Sequence, residues 1–427
     1  MAIIKIAVIC HFSNPQIRRY LKLYNGKYYS YKDFGLWNVN IINGLKNCDA
    51  IEVHVIAPHP GMKEQIQEFE CDNVFYHFYR AYPLYPIGNI LSKLGYYKFT
   101  KYSCNRKLVK KILHNIKPEL VNLIGAENPY YSITALDVEG IPIIIHLQTV
   151  YANPDRIKKT GNVDSFRWEV ELKLFKKTRY MACTGRMYYD LVKKYNPSAI
   201  VFPRRWPVSN FPMIPEVPKR YDFAFFARLL NKNKGFDSAI EAIAIAVKKH
   251  PNMRVLAVGS WDGDRNYFEN KIVELGINDN LDIHPSFPDY LDMLRYVKQA
   301  RFALLPIKMD VLSGTILEAL NMGMPVVTCR TSGTPSLNIK RNTALISDIE
   351  DNEALAENMI RLYENEDLAE TLRNNGLLYI REKEEENIHN AEIMVKQIQA
   401  VLEHFHNGTP IPQDLLYNID VNIDYRK

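Results

Sequence analysis

One stretch limits the possible folds more than any other: Met309 to Val327, which reads M-D-V-L-S-G-T-I-L-E-A-L-N-M-G-M-P-V-V. A strand-like run, Arg301-Phe-Ala-Leu-Leu-Pro-Ile307, precedes it, and a second, Pro325-Val-Val-Thr-Cys329, follows. Between them lie an acidic residue, Asp310, a Ser313-Gly314-Thr315 turn, a short apolar helix carrying Glu318, and a Gly323 stop. Two such strands joined through a helix form a parallel pair. Open parallel sheets bind phosphorylated ligands beyond the carboxyl ends of their strands, against helix N-termini. The stretch predicts a nucleotide site with two carboxylates at its mouth.

The same alternation of short β-branched runs and amphipathic helices fills the chain, as expected for parallel sheets covered by helices. Strands are predicted over residues 3–10, 51–57, 74–79, 120–124, 142–147, 179–183 and 199–202 in the first half. In the second half they fall over 221–227, 254–259, 281–284, 302–307 and 326–329. Helices are predicted over 35–46, 105–115, 165–177, 235–249, 267–275, 290–299 and 353–364. From Phe202 to Pro218 the chain packs five prolines into 17 residues, which neither a sheet interior nor a helix tolerates. At 427 residues and 47% hydrophobic, the chain can bury two domain cores. The expected division is 1–205, 206–406 and a tail over 407–427.

Charge separates the halves. Residues 1–205 carry 30 Lys/Arg against 16 Asp/Glu, a net +14, and residues 206–427 carry 24 against 32, a net −8. A basic half suits an anionic partner such as a phospholipid surface or a lipid phosphate, or it is simply a solvated basic surface. The six cysteines have no metal-ligand spacing, which predicts reduced thiols in a cytosolic protein. No apolar run approaches the ~18 residues needed to span a bilayer. The N-terminal run Met1 to Cys10 lacks a signal-peptide layout and predicts a first buried strand. No G-x-G-x-x-G follows it, which argues against a nicotinamide dehydrogenase.

Three segments in one order carry a family resemblance. Ala227-Arg-Leu-Leu-Asn-Lys-Asn-Lys-Gly-Phe-Asp-Ser-Ala-Ile-Glu-Ala242 resembles the Gly-Arg-Leu…Lys-Gly…Ile-Glu-Ala signature of glycosyltransferase family 4. Arg254-Val-Leu-Ala-Val-Gly-Ser260 resembles the strand and glycine turn that follow, with Gly259 at the turn. Glu318-Ala-Leu-Asn-Met-Gly-Met-Pro-Val-Val327 resembles the family's Glu-Ala…Gly-x-Pro-Val-Val. The resemblance covers residues 221–365, and the N-terminal half matches in layout. It implies the GT-B fold, two Rossmann-like domains facing across a cleft, and retaining transfer from a nucleotide-diphosphate sugar to a hydroxyl acceptor.

On that resemblance Arg228 and Lys234 would hold the diphosphate, where fixed cations stabilise charge growing on the leaving phosphate without a metal. Five residues separate Arg228 from Lys234 where the family has four, so Lys232 competes for the role. Ser313, Gly314 and Thr315 would offer backbone amides to phosphate oxygens. Glu318 would bind the ribose hydroxyls, although Thr315-Ile-Leu-Glu318 also has the pattern of a helix capping box. Asp310 stands where the family keeps a glutamate and would hold hydroxyls of the transferred sugar. Gln148 takes a position where many relatives have histidine; it can hydrogen-bond a sugar hydroxyl but cannot act as acid or base. Gly35, before an apolar helix, matches a glycine loop that approaches the donor, or is a plain turn. Glu127 is a candidate acceptor contact or a loop carboxylate without a fixed role. His146 is expected in the core.

The expected protein is therefore a cytoplasmic retaining glycosyltransferase needing no metal or other cofactor. It would act in surface polysaccharide or lipopolysaccharide assembly, possess no nucleic-acid partner, and sit at the inner membrane face against a lipid-linked or carbohydrate acceptor. Two alternatives stand: a GT-B-shaped sugar-nucleotide epimerase, and a non-catalytic nucleotide-sugar-binding protein.

Overall fold

Strand β1 (Ile4–Ile9) uses its alternation on both sides: Ile6 and Val8 enter one core, Ala7 and Ile9 another on the opposite face of the sheet. A strand buried on both faces belongs inside a parallel sheet covered by helices. The computed structural model describes all residues except 1–2, 25–33, 47, 82–89, 91–94, 152–163, 206–210, 262, 310–311, 332 and 419–427. The chain forms two compact units, Met1–Ser209 with Asn387–Asp424, and Asn210–Glu386.

The first unit holds an eight-stranded sheet in the order β3-β4-β2-β1-β5-β6-β7-β8. After β1 come β2 (Ile51–His59), β3 (Ile66–Cys71), β4 (Val74–Arg80), β5 (Leu120–Ile124), β6 (Ile143–His146), β7 (Tyr180–Cys183) and β8 (Ile200–Pro203). All neighbours pair in parallel except β3 and β4. Those two are joined through Asp72 and Asn73, both in the left-handed region at φ 53° and 60°. Two such residues in succession suit a tight hairpin, a turn whose twist matches that of its strands. The β3 hairpin was not foreseen, because its strand has exposed glutamates and no apolar run. Helices of eight residues or more here are α1 (Leu36–Leu45), α2 (Ser103–Ile116), α3 (Ser165–Lys177) and α4 (Arg186–Tyr195).

The second unit holds a six-stranded parallel sheet in the order β11-β10-β9-β12-β13-β14. Its strands are β9 (Tyr221–Leu230), β10 (Val255–Trp261), β11 (Leu281–His284), β12 (Ala300–Leu305), β13 (Val326–Cys329) and β14 (Ala344–Ser347). Phe223 and Phe225 pack to one side of β9, Ala224 and Phe226 to the other. The helices are α5 (Phe236–Lys249), α6 (Arg265–Leu275), α7 (Tyr290–Val297), α8 (Gly314–Asn321) and α9 (Asn352–Glu364).

A 42-residue helix, α10 (Glu366–Asn407), ends the regular structure. Ala369, Leu372 and Ile380 are buried in the cores of the second unit, whereas Met394, Ile398 and Val401 are buried in a core of the first. The boundary expected at 406 therefore falls at Glu386, and the expected tail belongs partly to the first unit, with Ile411 and Leu415 in its core. The reason is hydrophobic: these side chains complete a sheet face that residues 1–209 leave uncovered. Among the described residues no helix is long and apolar enough to cross a membrane.

Candidate functional site

In the second unit the strand order reverses between β9 and β12, and the carboxyl ends of those strands carry the residues singled out from the sequence. Arg228 lies near the end of β9, exposed and without an ion pair among the described residues. Asn231 then caps a short turn over Lys232–Lys234, its side chain accepting from the Lys234 N–H at 3.0 Å. Gly235 follows at φ 78°, and a Cβ there would collide with the carbonyl oxygen of Pro306, just past β12. Only glycine lets the β9 loop lie this close to β12. Lys232 is drawn aside, its ammonium 4.4 Å from the centre of the Tyr267 ring. Gly259 is likewise a point of close approach, a Cβ there meeting the Ala227 carbonyl at 2.5 Å.

Helix α8 opens at Ser313, whose hydroxyl bonds the Thr315 hydroxyl at 3.0 Å and does not cap the helix. A Cβ built on Gly314 meets nothing within 4 Å, so the N-terminus is open to an anion. Thr315 is inside the helix and is not its cap residue, so the capping box does not form. Glu318 instead accepts from the Tyr290 hydroxyl at 2.9 Å. Burial raises the Glu318 carboxyl above the ordinary carboxylate range, and the Tyr290 bond offsets part of that rise. An ion pair, Lys308 Nζ to Asp237 Oδ2 at 2.9 Å, joins the segment after β12 to the first turn of α5. Asp310 lies outside the described residues.

In the first unit the strand order reverses between β1 and β5. Beyond their carboxyl ends a hydrogen-bonded set runs through three segments. Gly35 caps α1 in the left-handed region at φ 62°, with no room for a Cβ against the His11 carbonyl. Asn38 Nδ2 donates to that same carbonyl at 2.6 Å. Gln148, two residues past β6, donates from Nε2 to Asn38 Oδ1 at 3.3 Å and accepts from the indole N–H of Trp37 at 2.8 Å. The His11 ring bonds the Tyr130 hydroxyl and lies among Phe34, Trp37 and Tyr131. Burial, with the Arg167 guanidinium as a smaller cause, pushes the His11 imidazole down to about 4. It is neutral at ordinary pH. Glu127 is buried beside Gly125, with Asn128 Nδ2 at 3.4 Å. His146 is a core residue, bonded to Asn122 at 3.0 Å and pushed down to about 3 by burial.

Residues 210–378 match the family model described as glycosyl transferases group 1. That match spans most of the second unit. CapM, a capsular polysaccharide biosynthesis glycosyltransferase of Staphylococcus aureus, is 24% identical over 176 residues. That stretch is 41% of this chain and 44% of CapM, so the chain spans less than half of that relative. Among solved structures, the sucrose-phosphate synthase of Thermosynechococcus elongatus has a TM-score of 0.70 at 14% identity, covering 93% of this chain and 100% of that one. HepE of Anabaena, solved with UDP and glucose, has a TM-score of 0.64 at 14% identity, with 93% and 100% covered. The fold is GT-B, two Rossmann-like parallel-sheet domains in one chain.

Within the second unit, the sheet brings Arg228, the Lys234–Gly235 turn and the open start of α8 to the carboxyl ends of its strands, although about 80 residues of sequence lie between them. Two participants went unnoticed in the sequence. Tyr290 is the first residue of a helix behind an Asp289 cap, and only its meeting with Glu318 marks it. Lys308 sits two residues before Asp310 and looks like any loop lysine. In the first unit, His11, Trp37, Asn38 and Tyr130 were also missed. The signal available was His11 two residues past the first strand, where a topological switch places ligand contacts.

Proposed function

We propose that the protein is a retaining glycosyltransferase that moves a sugar from a nucleotide-diphosphate sugar to a hydroxyl of a carbohydrate or lipid-linked acceptor. The observation that carries this reading is the mouth of the β9/β12 switch point. There an exposed Arg228, the Lys234–Gly235 turn and the uncapped N-terminus of α8 form one cationic, amide-rich rim, with Glu318 beside it. The match of residues 210–378 to group 1 glycosyl transferases and the UDP and glucose held by HepE support it.

Arg228 and Lys234 are assigned to the diphosphate, with Lys232 set aside by its seat on Tyr267. Breaking a sugar–phosphate bond leaves negative charge on the phosphate, and fixed cations with amide donors lower that barrier without a metal. Glu318 takes the ribose hydroxyls. Asp310 and Gln148 are assigned to hydroxyls of the transferred sugar, and Glu127 to the acceptor. With Gln148 unable to carry a proton, the leaving phosphate itself receives the acceptor proton. Retention follows from attack on the face the phosphate leaves.

The similarity to CapM favours a role in surface polysaccharide assembly, and the basic first half suits a place at the cytoplasmic face of a membrane. A thermal-shift series with UDP, GDP, ADP and their sugars, followed by donor turnover with and without EDTA, tests the reading. A ligand at about 100 times its dissociation constant stabilises by roughly 2.7 kcal/mol. No shift with any nucleotide, or turnover that EDTA abolishes and magnesium restores, would overturn it. Sugar-nucleotide conversion without acceptor would identify an epimerase, and binding without any turnover a non-catalytic protein.

A further inference from the structure

Between Asp72 and Glu119 the chain holds nine Lys or Arg and no acidic residue. At the chain's average of 48 acids in 427 residues, a stretch of that length would hold about five, so the run is a distinct feature within the basic half. Helix α2 shows what the run builds. Asn105, Val109, Ile112, Leu113 and Ile116 are buried along one side, and Lys107, Lys110, Lys111 and His114 form an exposed stripe on the other. Arg106 is paired with Asp137, but Lys98, Lys101, Lys107, Lys110 and Lys111 have no ion pair among the described residues.

Immediately before α2 stands a single helical turn, Tyr96–Thr100, joined to it through Lys101 and Tyr102, both in the left-handed region at φ 46° and 51°. Its inner side is pinned: Tyr97 stacks 5.8 Å from Tyr102 and packs 5.5 Å from Phe166, and its hydroxyl reaches Asp164. Its outer side presents Phe99 at 85% exposure and Tyr96 at 44%. An anchored turn that holds a phenyl ring in water gains nothing in the isolated chain, since burying that ring is favourable.

We propose that this face, Tyr96 and Phe99 with the lysine stripe of α2, docks on an anionic lipid bilayer. The lysines meet headgroup phosphates and the aromatic rings enter the boundary with the acyl chains. Cations beside exposed aromatics match that boundary, where charge attracts and rings partition. The inference deepens the membrane part of the proposed function, and it needs neither the donor assignment nor the chemistry.

Flotation of the full chain with phosphatidylcholine vesicles, with and without phosphatidylglycerol, tests it. Binding is expected only with phosphatidylglycerol and is lost as salt rises. The Lys107→Glu, Lys110→Glu, Lys111→Glu triple variant should bind at least about a hundredfold more weakly. Phe99→Ser should bind about tenfold more weakly with an unchanged salt slope. Both variants should melt and respond to UDP as the parent does. Equal binding to neutral vesicles, undiminished binding by the triple variant, or stronger binding to duplex DNA than to vesicles would overturn the proposal. Absence of any UDP response with vesicle binding intact would remove the donor assignment and leave the docking face standing.

Discussion

The Tyr290 hydroxyl holds Glu318 Oε1 at 2.9 Å, across from one helix to the next, and this bond separates two meanings of one glutamate. A capping glutamate folds back onto the start of its own helix; Glu318 is turned outward to α7 instead. Glu318→Gln should weaken UDP binding by roughly tenfold to a hundredfold, the range for losing hydrogen bonds to a charged group. Its melting temperature should stay close to the parent's. Isothermal titration with UDP, paired with a thermal melt, checks this; an unchanged affinity with a large drop in melting temperature would assign the residue to the fold.

The same pair carries a pH signature. Burial raises the Glu318 carboxyl and the Tyr290 bond lowers it, so Tyr290→Phe should raise it further. If the ionised carboxylate accepts ribose hydroxyls, nucleotide affinity falls as pH drops through the folded-state value. That fall should begin at higher pH in Tyr290→Phe than in the parent. UDP affinity measured from neutral pH downward in both proteins decides the matter.

Gly235 should be intolerant of substitution. Its φ of 78° is unfavourable for any residue with a Cβ, and that atom would strike the Pro306 carbonyl. Gly235→Ala should cost roughly 2–4 kcal/mol, combining strain with a displaced loop. Urea unfolding reads the loss, and the UDP-induced thermal shift should shrink with it because Lys234 moves with the turn.

Trp37 orients Gln148. Its indole N–H occupies the amide oxygen at 2.8 Å, leaving the amide nitrogen toward Asn38. Trp37→Phe keeps most of the ring and removes that donor, so the amide is free to turn. Donor hydrolysis should slow by about tenfold, one net hydrogen bond's worth, with UDP affinity unchanged. A change in affinity and none in rate would place Trp37 in nucleotide binding.

Acid should destabilise the first unit early. Burial pushes His11 and His59 down to about 4 and His146 down to about 3, against an ordinary value of 6.5. Between those values the unfolded chain binds more protons than the folded one, so stability falls as pH drops from about 6.5 toward 4. Each histidine contributes up to about 1.4 kcal/mol per pH unit there. The urea midpoint of the full chain, followed from neutral pH to about pH 5, should decline steadily; a flat midpoint would mean the rings are protonated when folded.

Much of this architecture was legible as pattern. Runs such as 120–124 and 326–329 coincide with β5 and β13, because a strand buried on both faces is apolar almost throughout. Strand β3 was not legible, since its alternation carries glutamates to solvent and its register is set by a two-residue turn. Arg228, Lys234 and Ser313–Thr315 could be placed at strand ends and a helix start from the sequence, because those boundaries are set locally. Tyr290 and Lys308 were not: each matters through a partner 28 or 71 residues away in the chain. Helix α10 escaped for a related reason. Its apolar positions serve two different cores, so no single stripe runs along its 42 residues.

That helix also sets an order of events during synthesis. The first unit begins before the second in sequence, yet Met394, Ile398, Val401 and Leu415 of its core leave the ribosome only after the whole of Asn210–Glu386. The second unit has all of Asn210–Glu386 in hand earlier and can close first. The nascent N-terminal sheet waits with one apolar face uncovered until Met394 to Leu415 have emerged. A premature stop anywhere before Met394 would thus damage the half of the protein already made.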